Sequence, residues 1–286
     1  MDFEYYLRKL DSLVASGRLT TAAFQRIIRN FYRENHRPFA WRTTRDPYKI
    51  LVSEVMLQQT QTSRVEARYP AFLKQFPTIE ALARAPQVDV LRAWEGLGYY
   101  RRARNLHRAV NVVCEQHGGR IPKAFDDLVA LPGLGHYTAA ALSVFAFNTP
   151  TAMIETNIRS VYLYAFYRKR RGVSDREVMK LIHDTMDTRR CREWFYALMD
   201  FGVALKKARP GINTRSKHHT KQSAFEGSDR QIAARALKTI VSSKRSIALA
   251  ELVGLLGADC ERVQKAVDRL ERDGLIRRAR GGRVAV

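Results

Sequence analysis

Leu131-Pro132-Gly133-Leu134-Gly135-His136-Tyr137-Thr138-Ala139-Ala140 decides how the rest of this chain is read. Apolar residues at helical spacing continue through Ala141-Leu142 and Val144-Phe145, so the decapeptide is a Pro-Gly-x-Gly turn that ends one helix and starts another. The first backbone N–H groups of a helix have no intrahelical acceptor and point outward. Together with the helix dipole they suit a phosphate oxygen, and the glycines permit both the tight turn and a close approach of backbone to a partner. Taken alone, the stretch also fits an ordinary helix–turn–helix connection.

Outward from the turn, apolar residues keep helical spacing, as from Ala81-Leu82-Ala83 to Val90-Leu91-Trp94, with breaks at Pro38, Pro47, Pro77, Gly96, Gly98, Gly118-Gly119 and Pro150. The body is therefore expected to be all-α. The 286 residues carry 50 Lys plus Arg against 28 Asp plus Glu, a net charge of +22, which points to a polyanionic partner. A ribosomal or merely very soluble basic protein is the competing reading. Cys114, Cys191 and Cys260 are too widely spaced for a disulfide framework or a Cys-x-x-Cys site, which implies a reducing compartment. No run is long and apolar enough to span a bilayer, and Met1-Asp2-Phe3-Glu4-Tyr5-Tyr6 lacks the regions of a signal peptide. A cytoplasmic, nucleoid-associated protein with no membrane partner is expected.

The character changes after Leu205. Residues 206–231 are polar, basic and poor in aliphatics, as expected of a linker or an extended arm that touches nucleic acid. His218-His219 in that stretch has no nearby Cys or carboxylate cluster, so no metal site is assigned. Residues 232–286 read as a small separate domain with helices from Ser246 and over 259–273. A hairpin follows through Gly274-Leu275-Ile276-Arg277-Arg278 and Gly281-Gly282-Arg283-Val284-Ala285-Val286, an order that resembles a winged helix. From Lys206 onward there are 19 Lys plus Arg and 8 Asp plus Glu, and this charge fits either a DNA or a protein partner for the domain.

Four stretches carry a family resemblance: Pro38 to Val65 (PFAWRTTRDPYKILVSEVMLQQTQTSRV), Gly96 to Ala109 (GLGYYRRARNLHRA), Leu131 to Leu142 (LPGLGHYTAAAL) and Met153 to Val161 (MIETNIRSV). In order and spacing they resemble the adenine DNA glycosylase (MutY) branch of the helix-hairpin-helix (HhH-GPD) glycosylase superfamily, from about Phe31 to Leu205. The resemblance implies a two-lobed all-α body over 1–205, with a six-helix lobe at about 45–150 and a second lobe from 1–44 and 151–205.

It also implies chemistry. Hydrolysing a bond between sugar and base builds positive charge on the sugar, which an ionised carboxylate stabilises while orienting or deprotonating a water. Glu155 stands where the family has an aspartate, one methylene shorter, and displacements of about an ångström can cost about a hundredfold in rate. Glu54 matches a glutamate thought to protonate the departing base, and its apolar neighbours place it in the interior, where a carboxyl is more readily kept protonated. Tyr137 stands where bifunctional relatives carry a lysine, and a phenol cannot form a Schiff base, so a monofunctional enzyme is implied.

Gln58 and Gln59 match residues that wedge into the duplex and fill the gap left by a flipped base. Thr60, Tyr99, Tyr100, Arg101, Leu131, Gly133, Gly135, His136, Thr138 and Asn157 join them on the DNA side, with Tyr99 and Tyr100 also open to a core reading. The basic arm adds Arg215, Lys217, His218 and Lys221, while Trp41, Arg42, Tyr196 and Asp200 are assigned to the base pocket, Tyr196 replacing a family glutamine.

Most of the family holds an iron–sulfur cluster on four cysteines just after the segment equivalent to 196–202, and no cysteine lies between Cys191 and Cys260, so no cofactor is expected. The family's domain for inspecting 8-oxoguanine is replaced by the winged-helix-like segment. The expected partner is double-stranded DNA with a mispaired or damaged base, bound by a monomer. The expected substrate is adenine opposite guanine or 8-oxoguanine, with thymine or uracil opposite guanine and a noncatalytic DNA-binding role as the alternatives.

Overall fold

Residues 2–220, 224–243 and 245–286 are described by a computed structural model that is helical almost throughout, with one small sheet near the C-terminus. Among the described residues, no helix is long and apolar enough to cross a membrane. The chain falls into two units, Met1–Ile50 with Gly135–Lys221, and Leu51–Leu134 with Gln222–Val286.

In the first unit, the helix Cys191–Ala208 packs along Thr156–Phe166 and also meets Thr21–Asn35. Local signals start these helices. The Thr20 hydroxyl accepts from the Ala23 amide, and Ser174 with Glu177 forms a reciprocal capping box for Asp175–Thr185. The core between them is aromatic, with Phe24 edge-on to Tyr162 and Trp194, and Phe31 edge-on to Phe201. Gly202 is the point of closest approach, where an added Cβ would stand 2.8 Å from the Asn157 Cβ and closer still to the Asn157 carbonyl.

The second unit holds the helices Thr62–Gln75, Ile79–Arg84, Gln87–Ala93, Arg101–Gln116 and Phe125–Ala130, together with the C-terminal segment. That segment ends in helices followed by a hairpin, but the stretch read as a helix from Ser246 opens with the strand Ile247–Ala248, and the helix starts at Leu249. Helices Asp229–Ser242, Leu249–Leu256 and Cys260–Arg272 precede a three-stranded antiparallel sheet in which Arg283–Ala285 lies between Ile247–Ala248 and Arg277–Ala279. The hairpin turns at Gly281 and Gly282, both at positive φ.

The units are divided elsewhere than the sequence suggests. The helix His136–Phe147 joins the first unit and not the 45–150 lobe, because Arg192 donates to the Phe145 carbonyl and Tyr196 stacks on Phe145 at 4.2 Å. The first part of the stretch read as a linker or DNA-contacting arm is ordered against the first unit. Helix Cys191–Ala208 continues past Leu205, and Ile212–Arg215 forms a 3-10 turn against Thr156–Phe166, tied by Ser160 Oγ donating to Asn213 Oδ1 at 3.0 Å.

The boundary at 231/232 falls inside the helix Asp229–Ser242, whose cap is Ser228. The C-terminal segment also packs on the rest of its unit. Arg92 Nε donates to the Val241 carbonyl at 3.1 Å, Lys238 pairs with Glu95 at 2.7 Å, and Arg104 donates to the Asp273 carbonyl.

Candidate active site

Glu155 is the N-cap of the helix Thr156–Phe166. Its Oε1 accepts the Ile158 amide at 2.8 Å and its Oε2 accepts Asn157 Nδ2 at 3.0 Å. The residue as a whole is half-buried, but its carboxyl group is densely enclosed. Burial pushes the Glu155 pKa up, opposed by the backbone amides of Asn157 and Ile158 and by the charges of Lys206 and Arg159. Each carboxylate oxygen has a second lone pair, so both caps can be kept while a further donor is accepted. Asn157, expected on the DNA side, is thus also the bracket of this carboxylate, and its Oδ1 is buried without a hydrogen-bond partner.

Around the same helix, Arg159 forms a two-pronged ion pair with Asp175, at 2.7 Å on each arm. The Arg159 interaction holds the Asp175 pKa below the usual carboxylate value. Val173 pairs with Ser216, so the stretch carrying Arg215, Lys217 and His218 is pinned to the first unit while Lys217 and His218 remain exposed. Lys221 lies outside the described residues.

Of the four residues assigned to the base pocket, Arg42, Tyr196 and Asp200 lie together. Arg42 donates to both oxygens of Asp200 at 2.7 and 2.9 Å, and its guanidinium lies 4.5 Å from the Tyr196 ring centre. Asp200, 3% exposed, also accepts from the Arg37 amide and Nε. Its acceptor positions are filled by arginine, which makes it the anchor of a buried ion cluster and not an open contact for a base. Trp41 is buried and stacked on Phe39 at 4.7 Å. Sequence reasoning overlooked Arg192, which bridges the carbonyls of Arg42 and Thr44 at 2.9 and 2.5 Å.

In the second unit, Glu54 is 5% exposed, in keeping with its apolar neighbours. Gln59 and Tyr99 are exposed, Gln58, Thr60 and Tyr100 are half-buried, and the Arg101 side chain is 62% exposed and 3.5 Å from Asp273. Burial pushes the Tyr100 hydroxyl up in pKa, which favours a packed role for part of that ring. Sequence reasoning also passed over Arg102, reading only Arg101 in the basic run. Arg102 is buried, and the loss of water pulls its pKa down to about 10.

The hairpin begins in the second unit and ends in the first. Gly133, at φ 78, is exposed and faces Asn105, whose Cβ would lie 2.5 Å from an added methyl. Exposed Gly135 is the N-cap of His136–Phe147 and brings no side-chain acceptor to its first turn. His136 is exposed and Tyr137 half-buried. Leu131 and Thr138 are buried, so their side chains serve the interior and only their backbones remain for the DNA role expected of them.

A four-cysteine cluster does not fit this chain. It has three cysteines in all, the thiol of Cys191 donates to Asn148 Oδ1 at 3.3 Å, and the segment after Ala208 is closed by the Ser160–Asn213 and Val173–Ser216 contacts.

Residues 52–188 match the family described as HhH-GPD superfamily base excision DNA repair protein. An adenine DNA glycosylase from Mycobacterium tuberculosis is 32% identical over 280 residues, covering 90% of this chain and 91% of its own. A solved thermostable thymine-DNA glycosylase superposes with a TM-score of 0.59 at 27% identity, over 68% of this chain and 94% of its own. A structure of a non-covalent endonuclease III–DNA complex superposes with a TM-score of 0.57 at 19% identity, over 70% and 96%, and shares the fold.

Proposed function

Because the chain belongs to the HhH-GPD superfamily of base excision DNA repair proteins and is a DNA N-glycosylase, we propose that it hydrolyses the bond between deoxyribose and a mispaired adenine, opposite guanine or 8-oxoguanine, in duplex DNA. The observation that carries this reading is the enclosed carboxylate of Glu155, fixed at a helix N-cap by Ile158 and Asn157.

In this reading the base is flipped out of the stack, with Gln58 and Gln59 filling the gap and the Gly133–Gly135 turn gripping phosphate. As the C1′–N bond breaks, its electron pair leaves with the base, which takes a proton from Glu54. Ionised Glu155 stabilises the positive sugar and takes a proton from the water that adds to C1′. Tyr137 offers no amine, so the abasic product is released without strand cleavage. Being a DNA N-glycosylase sets aside the noncatalytic alternative.

Thymine or uracil opposite guanine is the second reading, favoured by the likeness to the thymine-DNA glycosylase. End-labelled duplexes, each with one mispair and developed with alkali, separate the two. Scission at adenine supports the first reading. Intact adenine duplexes alongside cut G·T or G·U support the second.

A further inference from the structure

Arg102 sits at the start of the helix Arg101–Gln116, with its side chain turned into the second unit. Its Nη1 donates to the carbonyls of Val55, Met56 and Gln58 at 2.8, 2.8 and 2.5 Å. Its Nη2 donates to Thr60 Oγ1 at 2.8 Å and to the carbonyls of Leu97 and Gly98, both at 3.1 Å. The guanidinium also lies 5.5 Å from the ring centres of Trp94 and Tyr99. One arm thus caps the carbonyls that end the helix Pro47–Leu57, and the other closes the turn before Arg101.

Two backbone strains flank these bonds. Among the described residues the non-glycine positions at positive φ are Gln59 at 54°, Tyr99 at 47° and Asn148. Asparagine tolerates this region, whereas glutamine and tyrosine are uncommon there and persist only where the surroundings fix them. The carbonyl just before Gln59, that of Gln58, is held by Nη1, and the carbonyl just before Tyr99, that of Gly98, is held by Nη2. A single planar fork therefore fixes both strained turns, a task a lysine ammonium cannot copy.

We propose that Arg102 is a positioning residue for base extrusion, locking the Gln58–Gln59 turn and the Gly98–Tyr99 turn into one rigid wedge that enters the duplex as a unit. Arg102 touches no DNA itself. The proposal rests on the reading that these two turns meet DNA.

The test compares the full-length protein with Arg102→Lys and Arg102→Met at a temperature where circular dichroism shows each to be folded. Single-turnover excision, affinity for a duplex containing a tetrahydrofuran abasic analogue, affinity for an unmodified duplex, and the fluorescence of 2-aminopurine beside the target base are read per folded molecule. Both variants are expected to lose about a hundredfold in excision and most of the fluorescence rise, as follows from a misplacement of about an ångström, while unmodified duplex binds within about threefold of wild type. Excision within about twofold of wild type in Arg102→Lys, or an unchanged fluorescence rise in either variant, overturns the proposal. Should neither variant fold, hydrogen exchange on the wild type decides. The Thr60 and Leu97 amides, each bonded within its own turn, should open with one shared protection factor, and independent opening overturns the coupling. Failure of the glycosylase reading looks different, since the wild type itself would then excise nothing.

Discussion

Gly202 and Asn157 touch backbone to backbone: a methyl placed on Gly202 would stand 2.8 Å from the Asn157 Cβ and inside the contact distance of its carbonyl. Asn157 donates to Glu155, so this close approach is one of the contacts by which the helix Cys191–Ala208 bears on the proposed catalytic carboxylate, beside the Ile158 amide of the residue's own helix. Gly202→Ala would raise helix propensity by about 1 kcal/mol in an exposed helix. Here the net effect should be a loss of about 1–3 kcal/mol from overpacking, with a fall in excision on the order of a hundredfold. Denaturant melts and single-turnover rates on the same preparation check both.

Asp200 should be a determinant of stability more than of base choice. Asp200→Ala leaves the buried Arg42 guanidinium without its counter-charge and should cost about 3–5 kcal/mol, read as a lower urea midpoint at unchanged slope. A variant of wild-type stability with altered base preference would return Asp200 to the pocket wall.

The pH dependence of excision should have its acid limb above the ordinary glutamate value. Burial raises the pKa of Glu155, so the carboxyl stays protonated, and inactive as a base, to a higher pH than an exposed glutamate would. For stability the sign is the reverse. The folded state binds the extra proton, so this residue's contribution is fully present below the unfolded pKa and is lost as pH rises through the folded pKa. A single-turnover pH profile checks the first, and an acid limb at or below the ordinary value contradicts it.

The C-terminal segment should melt with the helices it packs on. Arg104→Met removes the donor to the Asp273 carbonyl and should cost about 1.5–3 kcal/mol, with residues 51–134 and 222–286 losing hydrogen-exchange protection together. Loss of protection in 222–286 alone would mark a tethered domain.

Much of this architecture was legible in the sequence, because periodicity and turn chemistry are local. The Pro132-Gly133-Leu134-Gly135 turn, the helices around it and the Gly281-Gly282 hairpin all stand where patterning put them. Glu54 was legible for the same reason, being surrounded by apolar residues in its own helix.

What escaped was set at long range. Arg102 sits in a run with Arg101 and Arg104, and charge alone suggests phosphate. Only the folded chain turns it inward onto carbonyls 44 to 47 residues away in sequence. The grouping of His136–Phe147 with the first unit depends likewise on Arg192 reaching the Phe145 carbonyl, 47 residues back. Ser228 was different, since a serine three residues before Gln231 is a helix-start signal that the polar composition of the stretch concealed.

The central claim is that the Glu155 carboxylate carries the chemistry, and Glu155→Gln tests it most directly. Glutamine keeps the size and a carbonyl acceptor for the Ile158 amide but loses the charge. Single-turnover, alkali-developed scission of an adenine·8-oxoguanine duplex should fall by at least about a thousandfold, with affinity for the same duplex within a few-fold of wild type. Scission by Glu155→Gln at the wild-type rate would contradict the account.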